Sequence, residues 1–220
     1  MSPEGPDPAR ARPPERRRRF EAVHLWTTTG ASLIALAVSL YNLVVLHRQP
    51  DVDVALPHVV RLEPRGPGGN VHLFLQPTIS SRIRTEDVEI ITDAELRLRP
   101  ADPKVARPAF YWDESGTYSY DHASNRLSYQ RTADPTPLVV AQDSPQQPTL
   151  LFNAHTWTVA RGRYEGTLVL HRASTGSPLE EPFCLTVSAE AVRTFAAAPE
   201  RTSFELRNDV PGTPGTCYAF

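Results

Sequence analysis

The chain has 220 residues and a formal net charge of −2, and it contains 22 prolines, 11 glycines and two cysteines. The slight acidity argues against a nucleic-acid binder, whose affinity depends on a basic surface. Proline is about twice as frequent as in an average protein and divides the chain into short elements. Lysine occurs once, at Lys104, among 23 basic residues, and this bias toward arginine indicates a GC-rich, bacterial genome.

An uncharged apolar run covers residues 25–46 and contains no Asp, Glu, Lys, Arg, His or Pro. A helix of this length reaches about 33 Å, enough to cross a hydrocarbon core of about 30 Å. We therefore predict one N-terminal transmembrane helix, surrounded by membrane lipid. The alternatives are a buried core helix and a secretory signal cleaved at Ala35-Leu36-Ala37. Cleavage there would leave an apolar overhang at the new N-terminus.

The arginines around this run give it a direction. Those before it are Arg10, Arg12, Arg16, Arg17, Arg18 and Arg19, whereas Arg48, Arg61 and Arg65 follow within about 20 residues. The positive-inside rule predicts a single-pass protein of the cell membrane, with a cytoplasmic N-terminus and a C-terminal domain outside. We expect a disordered tail over 1–24, a helix over 25–46, a juxtamembrane linker over 47–56 and one extracytoplasmic domain over 57–220.

Small residues recur along one face of the predicted helix. They are Thr27, Ala31, Ala35 and Ser39, and Asn42 falls on the same face. Small residues let two helices approach closely, and an Asn in lipid gains from a hydrogen-bonding partner. The pattern predicts a packing face for another transmembrane helix or a second copy of this one. The alternative is that membrane helices are simply rich in small residues.

Beyond the helix, apolar and polar residues alternate with period two, as in half-buried strands. The clearest apolar sets are 71, 73 and 75; the even positions 88–98; 164, 168 and 170; and the odd positions 183–189. No segment here shows convincing helical periodicity. We predict an all-β fold, an antiparallel sandwich with one shared core.

The segment Gly162-Arg163-Tyr164-Glu165-Gly166, with Trp157 before it and a hairpin into residues 183–187 after it, resembles the closing strands of immunoglobulin-like sandwiches. Gly162-x-Tyr164 is similar to the tyrosine corner of that fold. The resemblance covers about 35 residues and implies an Ig-like fold. It departs from antibody-type domains at Gly166, where those domains have a cysteine, and it carries no function with it.

The two cysteines, Cys184 and Cys217, both fall outside the membrane in the predicted topology, where oxidation is favoured. Alternation places Cys184 on the face opposite Phe183 and Leu185. A disulfide would therefore attach the C-terminal segment to the outer face of that strand. Two free thiols are the alternative.

Reactive motifs are missing from the sequence. The seven histidines are scattered, and there is no HExxH, no Gly-x-Ser-x-Gly, no phosphate loop and no dinucleotide fingerprint. Asp113, Ser115 and Thr117 match the start of a calcium loop, but the Gly and Glu that such a loop requires are missing. We expect no metal, no cofactor and no enzymatic activity. The competing hypothesis is a cell-envelope hydrolase whose site assembles from residues distant in sequence.

Aromatic residues are concentrated between positions 110 and 129, on a predicted three-stranded meander. The candidate binding residues are Tyr111, Trp112, Tyr118, Tyr120 and Tyr129. Rings that project from a sheet can stack on sugars or anchor a protein, although alternate rings can instead fill the core. Our hypothesis is a membrane-anchored protein whose outer domain binds or supports an envelope ligand or a partner membrane protein.

Overall fold

The computed structural model describes residues 14–46 (14–22 by backbone alone), 50–65, 69–82, 87–123, 126–142, 144–197, 203–210 and 217–220. The chain forms two compact units, residues 1–48 and 49–220, which are considered separately. The first contains one helix, and the second contains all the described strands and a short helix.

Helix α1 runs without a break from Pro14 to Leu46, over 33 residues. Its segment Val23–Val45 has a mean hydropathy of 1.6 and is long and apolar enough to span a membrane or to act as a signal sequence. The hydroxyl groups of Thr27 and Ser32 donate hydrogen bonds to backbone oxygens of the preceding turn, which satisfies them within the helix.

The helix begins earlier than the sequence prediction placed it. Residues 14–24, which we predicted to be part of a disordered tail, are helical. Proline is favoured at a first helical position, and arginine and glutamate are good helix formers. The arginine block therefore belongs to the same helix as the apolar run.

The second unit is predominantly β. Its strands are β1 (Val52–Ala55), β2 (Val59–Arg65), β3 (Asn70–Leu75), β4 (Thr78–Ser81), β5 (Glu89–Pro100), β6 (Phe110–Asp121), β7 (Arg126–Ala133), β8 (Leu138–Val140), β9 (Thr149–Ala154), β10 (Gly162–Arg172), β11 (Leu179–Val187), β12 (Phe204–Arg207) and β13 (Tyr218–Ala219). Strands β1 and β4 form a two-stranded sheet. The others form one curled, half-barrel sheet in the order β7-β6-β9-β3-β2-β12-β13-β11-β10-β5-β8. The all-β prediction is confirmed at this level, whereas an immunoglobulin-like sandwich is not.

The large sheet consists of two halves. We call β7, β6, β9, β3, β2 and β12 the hairpin half, and β11, β10, β5 and β8 the β10 half. Strand β13 lies between them, parallel to β11 through Leu185 and Thr186 and antiparallel to β12 through Arg207. One further backbone bridge, between Arg97 and Ala109, connects the halves within the described part of the chain. Their inward faces share one hydrophobic core.

Most of the predicted strand faces occur in this core. The three apolar positions of β3, the Tyr164 face of β10 and the Phe183 face of β11 are buried. The Tyr164 hydroxyl donates a 2.8 Å hydrogen bond to the Ala160 carbonyl oxygen, the contact expected of a tyrosine corner. Gly166 lies opposite Phe183, whose ring occupies the space that a Cβ would need. The ring therefore covers the position where antibody domains have a cysteine.

The prediction for the first part of β5 was wrong. We expected Val88, Ile90 and Thr92 to face the core, but Glu89 and Ile91 are buried instead. The β5–β10 register shifts by one residue between Ile91 and Asp93, and such a bulge reverses the alternation on one side of it. The buried Glu89 carboxylate accepts hydrogen bonds from the Ile90 and Ser174 N–H groups and from the Ser174 hydroxyl.

Two short elements also differ from the sequence predictions. Val52–Ala55, within the predicted linker, forms β1 because Val52 and Val54 alternate with acidic residues and pair with β4. Residues 189–197 form helix α2 (Ala189–Ala197), whose Ala191 and Phe195 are buried four positions apart. The Ser188 hydroxyl accepts a 3.0 Å hydrogen bond from the Ala191 N–H and caps this helix.

Cys184 and Cys217 lie at disulfide-bonding distance, with their Cα atoms 4.6 Å apart. This agrees with the predicted pairing and attaches the segment containing β13 to β11. Tyr218, next to Cys217, is fully buried, and its hydroxyl donates a hydrogen bond to the Pro57 carbonyl oxygen. The end of the chain thus contacts the beginning of the β unit.

Removing the disulfide should destabilise the β unit. The bridged residues are 33 positions apart, and closing a loop of that length stabilises a fold by about 3–4 kcal/mol in the chain-entropy model. We expect Cys184→Ala, Cys217→Ala and the double variant to lose similar amounts of unfolding free energy in urea, because each removes the same bond. Additive losses, or thiols that alkylate without prior reduction in the denatured wild type, would contradict the bridge.

Candidate functional site

Strand β6 extends beyond its neighbour β9. Residues Phe110–Gly116 pair with β9, whereas the part from Thr117 to Asp121 pairs only with β7 in the described structure. We call the extension, residues 117–123 and 126–130, the tyrosine hairpin. It is the part of the predicted aromatic segment in which β6 has only one paired neighbour in the described structure.

The part of the tyrosine hairpin farther from its turn packs on the outer face of β3. The Tyr118 ring lies 5.6 Å and the Tyr129 ring 4.9 Å from the Phe74 ring, and the two tyrosine rings are 5.5 Å apart. Phe74 points away from the main core and is nevertheless only 2% exposed. Because edge-to-face aromatic pairs add about 0.5–1.5 kcal/mol beyond area burial, this trio holds the hairpin against the sheet.

Gly116 permits this packing. A Cβ at that position would lie 2.5 Å from the Tyr129 ring and from the Gln130 carbonyl oxygen. The absence of a side chain lets the ring rest directly on the backbone of β6, as aromatic residues do over glycine in other sheets.

Arg61 of β2 completes the support of the hairpin. Its guanidinium carbon lies 4.5 Å from the centre of the Tyr118 ring, a cation–π arrangement. The same guanidinium donates hydrogen bonds of 3.2 and 2.9 Å to Oε1 of Glu205 in β12. Tyr118 therefore contacts Phe74 and a guanidinium that is itself held by a carboxylate.

Burial raises the pKa of Tyr118 and the pKa of Tyr129 above the ordinary tyrosine value. For Tyr129 the nearby carboxylate of Glu114 raises the pKa further, whereas for Tyr118 the positive charge of Arg61 opposes the rise. Both phenols are therefore neutral over the physiological pH range, which suits a packing role.

The tyrosine hairpin is exposed nearer its turn. Tyr120 and Leu127 are opposite each other in the β6–β7 register, with exposed fractions of 48% and 40%. The His122 ring lies 4.9 Å from the Tyr120 ring and meets it edge to face. Tyr120 and Leu127 lie two residues from Tyr118 and Tyr129, so the four side chains share one face of the hairpin. An aromatic and an aliphatic residue thus project together beyond the part of that face that packs on Phe74.

The remaining candidate aromatics lie elsewhere. Trp112 is 8% exposed and belongs to the main core, so its prediction as a binding residue was wrong. Trp112 and Tyr111 are consecutive residues of β6, so their rings lie on opposite faces of the strand. The predicted three-stranded meander is also wrong. Strands β6 and β7 form a hairpin, but the next strand along the chain, β8, pairs with β5 at the far edge of the sheet.

Tyr111 takes part in a separate polar cluster at the start of β6. Its hydroxyl lies 2.7 Å from Nε2 of His155, whose Nδ1 is 3.1 Å from Oδ1 of Asn70. Next to it, Thr156 and Gly69 have left-handed φ angles of 56° and 72°. A Cβ on Gly69 would lie 3.3 Å from the Thr156 backbone, so the two turns are packed closely.

This cluster is the nearest approach to a catalytic arrangement among the described residues. A hydroxyl, an imidazole and an amide in series resemble a nucleophile, a base and an orienting group. However, burial and the Asp113 charge raise the pKa of Tyr111, whereas an activated hydroxyl requires a lowered pKa. We interpret the cluster as a connection between two turns and β6. No group of three or more potential metal ligands occurs in the described ranges.

The predicted helix-packing residues lie on α1, as expected, but this single chain does not test their packing. Thr27, Ala31, Ala35, Ser39 and Asn42 are all exposed, and no atom outside α1's own backbone lies within 4 Å of a Cβ built on Gly30. Their role stays a prediction.

Sequence reasoning missed Phe74, Arg61 and Leu127 as parts of the site. Phe74 interrupts the alternation of β3 by adding an apolar residue on its polar face, and that interruption was the available signal. Arg61 has no local signal, because its partner Glu205 is 144 residues away. Comparisons with protein-family models, curated proteins and solved structures find no match, so the geometry carries the functional argument.

Alkaline unfolding should report the buried tyrosines. Unfolded tyrosine titrates near pH 10, and Tyr118 and Tyr129 titrate higher in the folded state. Above about pH 10 the unfolded chain therefore releases protons that the folded chain retains, and the unfolding free energy falls. We expect a smaller decline in the double variant Tyr118→Phe, Tyr129→Phe, measured by urea unfolding at about pH 8 and about pH 11. Equal declines in the two proteins would contradict the assignment.

Gly116→Ala should displace Tyr129 and loosen the tyrosine hairpin. Since the new Cβ overlaps the ring, we expect a loss of about 1–3 kcal/mol of unfolding free energy, typical of overpacking. Gly176→Ala is the matched control, because nothing lies within 4 Å of its Cβ position. The close packing of the Tyr129 ring on Gly116 is disproved if both variants unfold at the same urea concentration as the wild type.

Proposed function

We propose that this is a single-pass membrane protein that presents its β unit outside the cell membrane and binds a partner protein there through the tyrosine hairpin. The apolar segment of α1 supports anchoring, and the arginines before it support a cytoplasmic N-terminus. A disulfide between Cys184 and Cys217 suits an extracytoplasmic location. The proposed role is recognition, with the β unit as a rigid, immunoglobulin-related support for the binding residues.

The exposed Tyr120–Leu127 pair is the observation that carries this proposal. Binding energy concentrates in aromatic anchors that are already rigid, because little conformational entropy is then lost. Tyr120 meets that condition, since Tyr118, its neighbour on the same face of the hairpin, packs on Phe74 and Arg61. The competing hydrolase hypothesis has no comparable support among the described residues.

A crosslinking experiment tests the hairpin. A photoreactive amino acid at position 120 should give discrete adducts in intact membranes, and Leu127→Asp should remove them by placing a charge in the contact. Val139 is the matched control position, because it is exposed and apolar but lies on β8 at the other edge of the sheet. Identical adducts from positions 120 and 139 would refute hairpin-specific binding.

Protease accessibility tests the topology. Protease added to intact spheroplasts should degrade the β unit and leave a membrane-bound fragment of about 50 residues that contains α1, as expected for a span with a cytoplasmic N-terminus. Complete protection until the membrane is lysed would contradict the outward orientation. Release of the whole β unit without protease would instead indicate a cleaved signal sequence.

The small-residue face of α1 gives a second, independent contact to test. Enlarging it with Ala31→Leu, Ala35→Leu and Ser39→Leu should reduce helix-mediated crosslinking, because close approach of the helices is blocked. Thr29→Leu with Ala37→Leu is the control, since these positions fall on the opposite side of the helix. If both variants crosslink like the wild type, the face does not mediate packing.

A further inference from the structure

The continuity of α1 determines how its arginines are presented. The apolar segment begins at Val23, and the helix continues toward the N-terminus as far as Pro14. Arg19 is therefore about 6 Å and Arg16 about 10 Å along the axis from the edge of the apolar segment. The polar headgroup layer is about 5–8 Å thick on each side of a bilayer, and an arginine stem adds several ångströms of reach. All four arginines are within reach of that layer.

The positions of the four arginines around the helix determine which arrangement of anions they can bind. Consecutive residues of an α-helix are about 100° apart, so Arg16 to Arg19 are distributed around about 300° of the circumference. A basic patch on one face would fit a single headgroup with several phosphates. Four backbone positions spread around the circumference fit several separate anions around the helix. Guanidinium groups bind phosphate oxygens in pairs, which favours phosphate headgroups over a diffuse counterion layer.

We propose that the helical arginine block of α1 collects a ring of anionic phospholipids at the cytoplasmic membrane surface. This inference rests on the proposed membrane anchoring, but it does not depend on the partner of the β unit. The occupant is the phosphate headgroup of a lipid, because only Phe20, Glu21 and Ala22 separate the arginines from the membrane-spanning segment. A role limited to setting the topology during insertion predicts no lipid preference in the finished protein.

Trp26 provides the readout. It lies three residues inside the apolar segment and is 79% exposed, whereas Trp112 and Trp157 are buried in the core of the β unit. The full chain is reconstituted in nanodiscs that contain equal amounts of phosphatidylcholine and phosphatidylglycerol, with one of the two lipids brominated near the headgroup end of its chains. Quenching of Trp26 then reports the lipids next to the arginine block, and Trp26→Phe gives the background.

We expect brominated phosphatidylglycerol to associate about fivefold more strongly than brominated phosphatidylcholine. One arginine near an anionic surface strengthens association by about that factor. Replacing Arg16, Arg17, Arg18 and Arg19 with Gln should bring this ratio to about one. Replacing them with Lys should keep part of it, because the charge remains but paired hydrogen bonding is lost. The dependence of Trp26 quenching on the fraction of brominated phosphatidylglycerol should require more than one lipid-binding site per chain.

Other outcomes overturn the inference in distinguishable ways. A ratio near one in the wild type, or an unchanged ratio in the Gln variant, excludes lipid selection by the arginines and leaves the anchor intact. One saturable lipid per chain excludes the ring. If neither brominated lipid quenches Trp26, the helix is not in the bilayer, and the proposed anchoring fails together with this inference. None of these results bears on crosslinking through the tyrosine hairpin.

Discussion

Strand β13 and the bond that holds it join the two halves of the large sheet. The strand has two residues and few backbone pairings, and so short a strand gains little from its ladder alone. The disulfide from Cys217 to β11, the buried ring of Tyr218 and the hydrogen bond to Pro57 compensate for that shortness. Burial also raises the pKa of Tyr218 to about 12, which keeps its hydroxyl protonated as the donor to Pro57.

The tyrosine hairpin depends on the hairpin half of this sheet. Phe74 and Arg61 lie on adjacent strands, and their register places Arg61 directly opposite Phe74. A change that separated β2 from β3 would therefore take Arg61 away from Tyr118 and leave Phe74 as its remaining support. The main core on one face and the aromatic trio on the other share these strands, so the stability of the fold and the rigidity of the hairpin are linked.

The sequence supported predictions where a pattern was local and repeated. The alternation in β3, β10 and β11, the tyrosine corner and the cysteine pair were all visible before the structure. The incorrect faces of β5 and the missed strand β13 share a cause, because neither feature can be detected from the period of apolar residues. One extra residue near Thr92 reverses the faces of β5, and a two-residue strand has no period. Of the candidate site, the sequence located the aromatic segment but not its supports, since Arg61 and Glu205 meet only through strand pairing.

The tyrosine hairpin combines close aromatic packing with unreactive phenols. Tyr118 and Tyr129 have raised pKa values because they are buried, so they offer no reactive phenolate at neutral pH. The same burial fixes their rings and leaves Tyr120 and Leu127 projecting from a backbone that cannot easily yield. Packing of Tyr118 on Phe74 and Arg61 beside the exposed Tyr120 is the physical basis of the proposal that the hairpin binds a partner.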